Sequence, residues 1–155
     1  MLIRLLEIKE CINITCGNKG TETFPHTMIH ILLVDDDPDI LDIMKLDLGD
    51  EPAFSVDTSS SSADALKKTK INRYDVIITD WRMPVMNGTQ LIRALRAEGC
   101  SSRIILYSGH NITADIRTAL ESGADHVIHR GGDPDTEFAE IRQKIRSLVS
   151  SPGER

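Results

Sequence analysis

The sequence predicts an α/β protein in which a parallel sheet is covered by helices on both faces. Two observations predict this fold class. Five strand-like apolar segments alternate along the chain with five segments whose apolar residues recur at intervals of three and four. Three of the strand segments are continuously apolar, which is typical of strands that are buried on both faces.

The alternation begins with a strand over residues 29–34, which ends in acidic residues. Asp37-Pro38 supplies a cap and a first helical residue, and Gly49 marks the end of that helix. The alternating stretch 54–56 predicts a second, short strand, and the serine run 59–62 predicts a loop and the cap of a second helix. In each helix, residues that recur at intervals of three and four form a stripe along one face. The stripe of the first helix is Ile40, Leu41, Met44 and Leu48, and that of the second is Ala63, Leu66 and Lys70.

Three more strand–helix pairs complete the pattern. Their strands lie at 76–78, 104–106 and 126–129. Gly99 and Gly123 end the third and fourth helices, and Asp133-Pro134 begins the fifth. The three stripes are Leu91, Ile92 and Leu95, then Ile112, Ile116, Ala119 and Leu120, and finally Phe138, Ile141, Ile145 and Leu148.

Composition and charge argue against several functions. The 155 residues suit a single domain, and a net charge of −6 disfavours nucleic acid and anionic membranes as partners. No segment approaches the ~18 uninterrupted apolar residues of a membrane span, and the charged start does not suit a signal peptide, so we expect a cytoplasmic protein. Four potential zinc ligands match no common zinc module in their spacing, and free thiols are the simpler interpretation. These residues are Cys11, Cys16, His26 and His30.

Residues 1–28 differ from the rest of the chain because they show no sustained helical or strand period. We expect a poorly ordered N-terminal extension here, which would be translated only if an upstream start codon is used. The alternative is a short docking helix at residues 2–11. The regular domain then covers residues 29–149, and 150–155 form a C-terminal tail.

Polar residues follow four of the predicted strands. Because the carboxyl ends of parallel strands meet at one edge of a sheet, we expect these side chains to lie close together. Crowded carboxylates repel one another unless a cation neutralises them, and oxygen ligands suit Mg²⁺. A carboxylate beside such an ion can act as the nucleophile for a phosphoryl group. The residues are Asp35 and Asp36, then Asp80, Ser108 and Arg130. Taken singly, these residues have simpler explanations as a helix start, a turn or loop residue, or a surface charge. Their occurrence together at successive strand ends is what favours a functional site.

Two stretches resemble the signatures of response-regulator receiver domains, the CheY-like switches of two-component signalling. They are ILLVDDDP at residues 31–38 and YDVIITDWRMPVMNG at residues 74–88. The resemblance covers residues 29–149 and implies a flavodoxin-like, doubly wound, five-stranded sheet of order 2-1-3-4-5 with five flanking helices. It also implies a phosphoacceptor switch rather than an enzyme that acts on an external substrate.

Carried over by position, the resemblance makes Asp80 the phosphoacceptor and Ser108 the switch hydroxyl. Arg130 stands in place of the usual lysine. The phosphoryl group would come from a sensor histidine kinase or a phosphotransfer protein. The implied Mg²⁺ ligands are Asp36, Asp80, the backbone carbonyl of Arg82 and, through water, Asp35.

Two positions depart from the family pattern. Arg130-Gly131-Gly132 replaces the usual lysine and proline, and Val127 replaces a common tyrosine or phenylalanine. Without that aromatic residue, we expect the signal to reach a downstream protein, or a second copy in a homodimer, through the face formed by the fourth helix, the fifth strand and the fifth helix. Nothing after Leu148 is long enough for a DNA-binding output domain.

Three alternatives stay open at this stage. The parent chain can continue into sensor or kinase domains, for which the join at 131–134 is some support. A degenerate receiver would bind partners without being phosphorylated, and the arginine at position 130 is its only support. An independent enzyme would need a phosphate-binding GxxxxGK[ST], a GxGxxG, or a second acid at position 82, and the chain has none of these.

Overall fold

The structure of the protein, a computed structural model, describes residues 28–109 and 113–151. The proposed docking helix at 2–11, the zinc-ligand candidates Cys11, Cys16 and His26, and most of the C-terminal tail lie outside these ranges. Cys100, which the structure does describe, is a free, half-buried thiol.

A five-stranded parallel sheet of order 2-1-3-4-5 forms the centre of the described region. The strands are β1 (Ile29–Val34), β2 (Phe54–Ser59), β3 (Val76–Thr79), β4 (Arg103–Ser108) and β5 (His126–His129). Val34 pairs with Ser59 on one side and Thr79 on the other, and Ser108 pairs with His129. The strands therefore end at one common edge, and the predicted flavodoxin-like order is confirmed.

Helices cover both faces of the sheet, as predicted. They are α1 (Pro38–Gly49), α2 (Ser62–Ile71), α3 (Gly88–Ala97), α4 (Thr113–Glu121) and α5 (Pro134–Ser150). The core between the sheet and α1 and α5 contains Met44, Ile105 and Ile141. The core on the other face contains Ala65, Ile77 and other buried residues of β1, β3, β4, α3 and α4. The alternating strand residues thus fill two separate cores, which fix the sheet edge in place.

Side-chain caps determine where the helices leave this edge. The Asp37 carboxylate accepts a hydrogen bond from the Asp39 N–H at 3.0 Å, and Pro38 is the first residue of α1, as predicted. Asn87 caps α3 in a reciprocal pair with Gln90, whereas residues 83–88 had been expected to form only a loop. These caps replace the missing helical partners of the first N–H groups.

Strand β2 is longer than predicted. The sequence indicated residues 54–56, whereas the strand continues to Ser59 and pairs with β1 over its whole length. The last three residues of the strand, Asp57, Thr58 and Ser59, are polar, so a pattern based on apolar residues does not include them. Because β2 lies at the edge of the sheet, it tolerates polar side chains. The serine run does cap α2, through Ser61, as predicted. Ser59, however, was predicted to lie in a loop and is the last residue of β2.

The predicted stripe of α2 was partly wrong. Ala63 and Lys70 are exposed, and the fully buried residues are Ser62 and Ala65, with Leu66 half-buried. A serine can face inward here because its hydroxyl donates a hydrogen bond to the backbone oxygen of Met86 at 2.8 Å.

Helix α4 also differs from its predicted stripe. Ala119 is buried, but Ile116 is 41% and Leu120 48% exposed, and Ile112 lies outside the described residues. The small side chain of Ala119 provides the contact with the sheet-side core, and the two larger side chains face outward. This leaves an apolar surface on α4.

Val85, in the loop between β3 and α3, has a strained backbone. Its φ of 70° lies in the left-handed region and its side chain is fully exposed. This conformation costs an L-residue about 1–2 kcal/mol, and more when the side chain is β-branched. We expect Val85→Gly to raise the free energy of unfolding by about 1 kcal/mol in a urea titration, after the glycine's larger unfolded-state entropy is deducted.

A matched control is Val149→Gly, the same change at an exposed position within α5. There the glycine relieves no strain, so we expect the free energy of unfolding to fall. Two decreases of similar size would show that the backbone at Val85 carries no strain.

Candidate functional site

Three carboxylates converge at the carboxyl edge of the sheet. Asp35 and Asp36 follow β1, Asp80 follows β3, and each offers one oxygen within 4.8 Å of the other two. Asp35 and Asp80 are buried, at 5% and 8% exposure, whereas Asp36 is exposed. We call these residues the acid cluster. The cluster is reachable from solvent through Asp36 while two of its charges are largely removed from water.

Backbone hydrogen bonds fix the two buried acids. The Asp35 N–H donates to the Ser59 oxygen and the Asp80 N–H to the Val34 oxygen, which continues the sheet by one residue at each point. Each carboxylate also accepts a local hydrogen bond, Asp35 from the Asp37 N–H and Asp80 from the Arg82 N–H, both at 2.9 Å. The carboxylates are therefore oriented before any ligand arrives.

Burial and mutual repulsion make these acids hard to ionise. Burial raises the pKa of Asp35 to about 6, against a lowering by the Asp37 N–H, and the charge on Asp80 raises it further. Burial likewise raises the pKa of Asp80, although the Trp81 and Arg82 N–H groups and Arg130 oppose the shift. A divalent cation would remove this penalty, and an all-oxygen cluster is the donor set that Mg²⁺ prefers.

Arg130 lies beside the acid cluster at the end of β5. Its Nη1 is 3.6 Å from Asp35 Oδ2, and its guanidinium lies over the Tyr107 ring, 5.7 Å from the centroid. This Nη1 is buried but makes no hydrogen bond to any residue that the structure describes. Nη1 of Arg130 is therefore a cationic donor with no acceptor at hydrogen-bonding distance among residues 28–109 and 113–151.

Ser108 and Arg82 complete the set of predicted site residues. Ser108 is buried at the end of β4, and its backbone oxygen accepts a hydrogen bond from the Arg130 N–H at 2.9 Å. Arg82 has an exposed side chain, and its N–H is held by the Asp80 carboxylate. The structure thus brings all the predicted residues to one edge, while their chemical roles stay predictions.

Three further residues shape the site without having been predicted. A Cβ on Gly88 would lie 2.2 Å from the Asp80 backbone oxygen, so only glycine fits beside the acid. Tyr107, in β4, lies under the Arg130 guanidinium. Glu137 is buried and binds the turn after Arg130. The sequence feature that could have indicated its burial is its position four residues before Ile141, on the buried stripe of α5.

A family model described as the response regulator receiver domain matches residues 31–142. The chain belongs to the response regulator receiver domain family. Receiver domains are phosphoacceptor switches of two-component signalling, which bind Mg²⁺ at an acidic site and interact with histidine kinases and downstream effectors. This receiver domain has a cluster of acids, Asp35, Asp36 and Asp80, at the carboxyl edge of its sheet.

Curated relatives agree with this assignment. Response regulator ArlR of Staphylococcus haemolyticus is 34% identical over 119 residues, which are 77% of this chain and 53% of that protein. The DNA-binding response regulator MtrA of Mycolicibacterium smegmatis is 31% identical over 124 residues, 80% of this chain and 54% of that protein. The transcriptional regulatory protein GlrR of Escherichia coli is 29% identical over 130 residues, which are 84% of this chain and 29% of that protein. The chain spans about half or less of these relatives.

Solved structures agree as well. The receiver domain of the Francisella response regulator 1452 superposes with a TM-score of 0.71 at 25% identity, over 78% of this chain and 96% of that one. The response regulator TrrA of Thermotoga maritima, solved in complex with Mg²⁺ and BeF, superposes with a TM-score of 0.67 at 29% identity, over 78% of this chain and 99% of that one. Within the described ranges of our receiver domain, no helix has the length and apolarity to span a membrane.

The raised pKa of Asp35 predicts a stability that depends on both pH and Mg²⁺. Because the folded protein binds the proton with a pKa of about 6 rather than 3.8, this contribution to stability is complete below 3.8 and is lost as pH rises through about 6. In EDTA, we therefore expect Asp35→Asn to raise the free energy of unfolding at about pH 7 and to raise it much less at about pH 4, close to the ordinary pKa of an aspartate.

Urea titrations of both proteins at the two pH values test this prediction, with Asp37→Asn as the control because Asp37 is exposed and asparagine also caps helices. Adding Mg²⁺ should stabilise the wild type at the higher pH and help Asp35→Asn less. An Asp35→Asn effect that is the same at both pH values would contradict the assignment of the shift to Asp35.

Proposed function

We propose that this receiver domain accepts a phosphoryl group on Asp80 from a sensor histidine kinase or a phosphotransfer protein. The observation that carries the proposal is the position of Asp80, a buried carboxylate with an oxygen within 4.8 Å of oxygens of two other acids. Arg130 lies beside this cluster, and its buried Nη1 has no hydrogen-bond acceptor among the described residues. The proposed domain covers residues 29–149, preceded by the extension 1–28, and acts in the cytoplasm.

The acid cluster fits a magnesium ion. Its donors are all carboxylate oxygens on Asp35, Asp36 and Asp80, and burial raises the pKa values of Asp35 and Asp80, a penalty that a bound cation would offset. Asp36, Asp80 and the backbone carbonyl of Arg82 would hold the ion directly, and Asp35 would hold it through water. When bound, Mg²⁺ supplies charge neutralisation and orientation for the phosphoryl oxygens.

The chemical step uses Asp80 as a nucleophile. One carboxylate oxygen forms a bond to phosphorus as the phosphorus–nitrogen bond of a phosphohistidine breaks, and the electron pair leaves with the imidazole nitrogen. The Arg130 guanidinium and the Ser108 hydroxyl would donate hydrogen bonds to the transferred oxygens. Attack by water later releases phosphate and restores the carboxylate. The domain thus catalyses only its own phosphorylation and dephosphorylation.

The output surface proposed for the phosphorylated state is the face formed by α4, β5 and α5. Val127 is half-buried and aliphatic, so no aromatic side chain at that position can rotate with Ser108. Ile116 and Leu120 are exposed on α4 and would provide apolar contacts for a downstream protein or for a second copy of the chain. Neither nucleic acid nor a membrane is proposed as a partner.

Phosphoryl uptake tests this function directly. The purified protein is incubated with acetyl phosphate in Mg²⁺ or in EDTA, and its intact mass and Trp81 fluorescence are recorded. Trp81 is half-buried next to the acceptor, so it should respond to the adduct. We expect a Mg²⁺-dependent gain of one phosphoryl group, which peptide mapping places on Asp80.

A degenerate receiver would behave differently. It would gain no mass and give no Trp81 response to beryllofluoride, and this outcome would overturn the proposed function. Arg130→Lys then tests whether the arginine is the cause, because lysine offers a compact ammonium rather than a planar fork.

A further inference from the structure

The turn after β5 has little conformational preference of its own. It continues from Arg130 into two glycines, and Gly131 has a φ of 137°, which is favourable only for glycine. Every residue loses conformational entropy when it becomes ordered, and glycines lose the most. Some contact outside this turn must therefore hold Arg130 in its place beside the acid cluster.

Glu137 in the first turns of α5 provides such a contact. Its Oε1 accepts a hydrogen bond from the Gly131 N–H at 2.7 Å and another from the Gly132 N–H. Its Oε2 accepts a hydrogen bond from the Tyr107 hydroxyl at 2.7 Å. We call this group of four residues the Glu137 clasp. Both carboxylate oxygens are used, although the side chain is only 8% exposed in total.

The clasp keeps Glu137 ionised. Burial alone would raise its pKa, but the Tyr107 hydroxyl and the two glycine N–H groups together lower the pKa below its usual value. A buried carboxylate that is satisfied in this way forms charge-assisted hydrogen bonds, which are about twice as strong as neutral ones. The clasp is therefore a rigid connection between α5, β4 and the glycine turn.

The Glu137 clasp controls both neighbours of the Arg130 guanidinium. On one side it fixes the backbone directly after Arg130, and on the other it fixes the Tyr107 ring over which the guanidinium lies. Arg130 Nη1 then lies 3.6 Å from Asp35, buried and without a hydrogen-bond acceptor in the described structure. Glu137 forms no ion pair with Arg130 in the described structure, so its influence on the site passes through the clasp.

We propose that Glu137 is a positioning residue that, through the clasp, holds the Arg130 guanidinium ready to bind the oxygens of the phosphoryl group. The inference rests on the proposed function, since it gives Arg130 a role in phosphoryl uptake. It goes further in assigning the placement of that cation to a buried carboxylate on α5. Leucine at position 137 would leave two N–H groups and one hydroxyl without their acceptor and would free the turn.

A double-mutant cycle separates positioning from a merely structural role. We expect Glu137→Leu to slow phosphoryl uptake from acetyl phosphate by roughly tenfold to a hundredfold, the size of loss that a misplaced catalytic group causes. In an Arg130→Ala background, Glu137→Leu should slow uptake further by no more than about twofold. An equal loss in both backgrounds would overturn the proposal.

Two milder variants cover the case in which Glu137→Leu does not fold. Glu137→Gln keeps an acceptor for the glycine N–H groups and should recover most of the uptake rate. Tyr107→Phe removes one hydroxyl from the clasp and should slow uptake less than Glu137→Leu, again only while Arg130 is present. A Tyr107→Phe effect that persists in Arg130→Ala would contradict the proposal.

An NMR measurement without any phosphodonor keeps this inference separate from the proposed function. In Glu137→Leu, the Nε–H signal of Arg130 and the amide signals of Gly131 and Gly132 should shift or broaden. The Nε–H signal of Arg103, which pairs with Asp125 elsewhere, should not. If the wild type takes up no phosphoryl group but these shifts occur, the proposed function fails and the clasp stands. Unchanged Arg130 signals would contradict the proposal that the Glu137 clasp positions the guanidinium.

Discussion

Asp80→Asn should abolish the Mg²⁺-dependent gain of phosphoryl mass without destabilising the fold. The amide is not a nucleophile toward phosphorus, so no aspartyl phosphate can form. The same change removes one charge from a crowded cluster of acids, at a buried carboxyl whose pKa burial already raises. In EDTA we therefore expect an equal or higher free energy of unfolding, which distinguishes lost chemistry from lost structure.

Asp37→Asn is a matched control for this variant. It removes the same charge two residues from Asp35, but Asp37 is exposed and serves as the cap of α1, a role that asparagine fills equally well. Uptake by Asp37→Asn should stay within about twofold of the wild type, because surface changes of this kind are nearly neutral. A phosphoryl adduct of normal yield on Asp80→Asn would show that another residue is the acceptor.

Much of the site could be predicted because its residues occupy strand ends. The apolar runs before Asp35 and Asp80 are long enough to identify buried strands, and parallel strands place their carboxyl ends at one edge. Strand β2 was predicted too short because Asp57, Thr58 and Ser59 interrupt the apolar pattern. Its extension depends on pairing with β1, which is a tertiary contact that the local sequence does not contain.

The environment of Arg130 could not be predicted for a similar reason. Its position after β5 follows from the strand pattern, but its contacts depend on Tyr107 and Glu137, which belong to other elements. The apolar pattern of α5 gave Glu137 no role, although Glu137 lies four residues before the buried Ile141 and therefore on the inner face of the helix. A carboxylate can face inward here because three donors meet it.

The glycine at the start of α3 should be the position of the fold most sensitive to a single methyl group. The Gly88 N–H donates to the Trp81 oxygen at 2.8 Å, which closes the loop after the acceptor. A Cβ at Gly88 would lie 2.2 Å from the Asp80 backbone oxygen and 3.0 Å from Leu106. The obstacle is mainly backbone, so no side-chain rotation can relieve it, and α3 or the end of β3 must move.

Gly88→Ala should therefore lower the free energy of unfolding by at least about 3 kcal/mol, the upper range for overpacking a core, and should displace the acceptor enough to impair phosphoryl uptake. Gly49→Ala is the matched control, since nothing lies within 4 Å of a Cβ there and its φ is not positive. As the last residue of α1, it should gain about 0.5–1 kcal/mol from alanine. Urea titrations of both variants should thus give changes of opposite sign. A neutral Gly88→Ala would mean that the loop after Asp80 yields easily, and a loop that yields could not hold the acceptor carboxylate oriented before its ligand arrives.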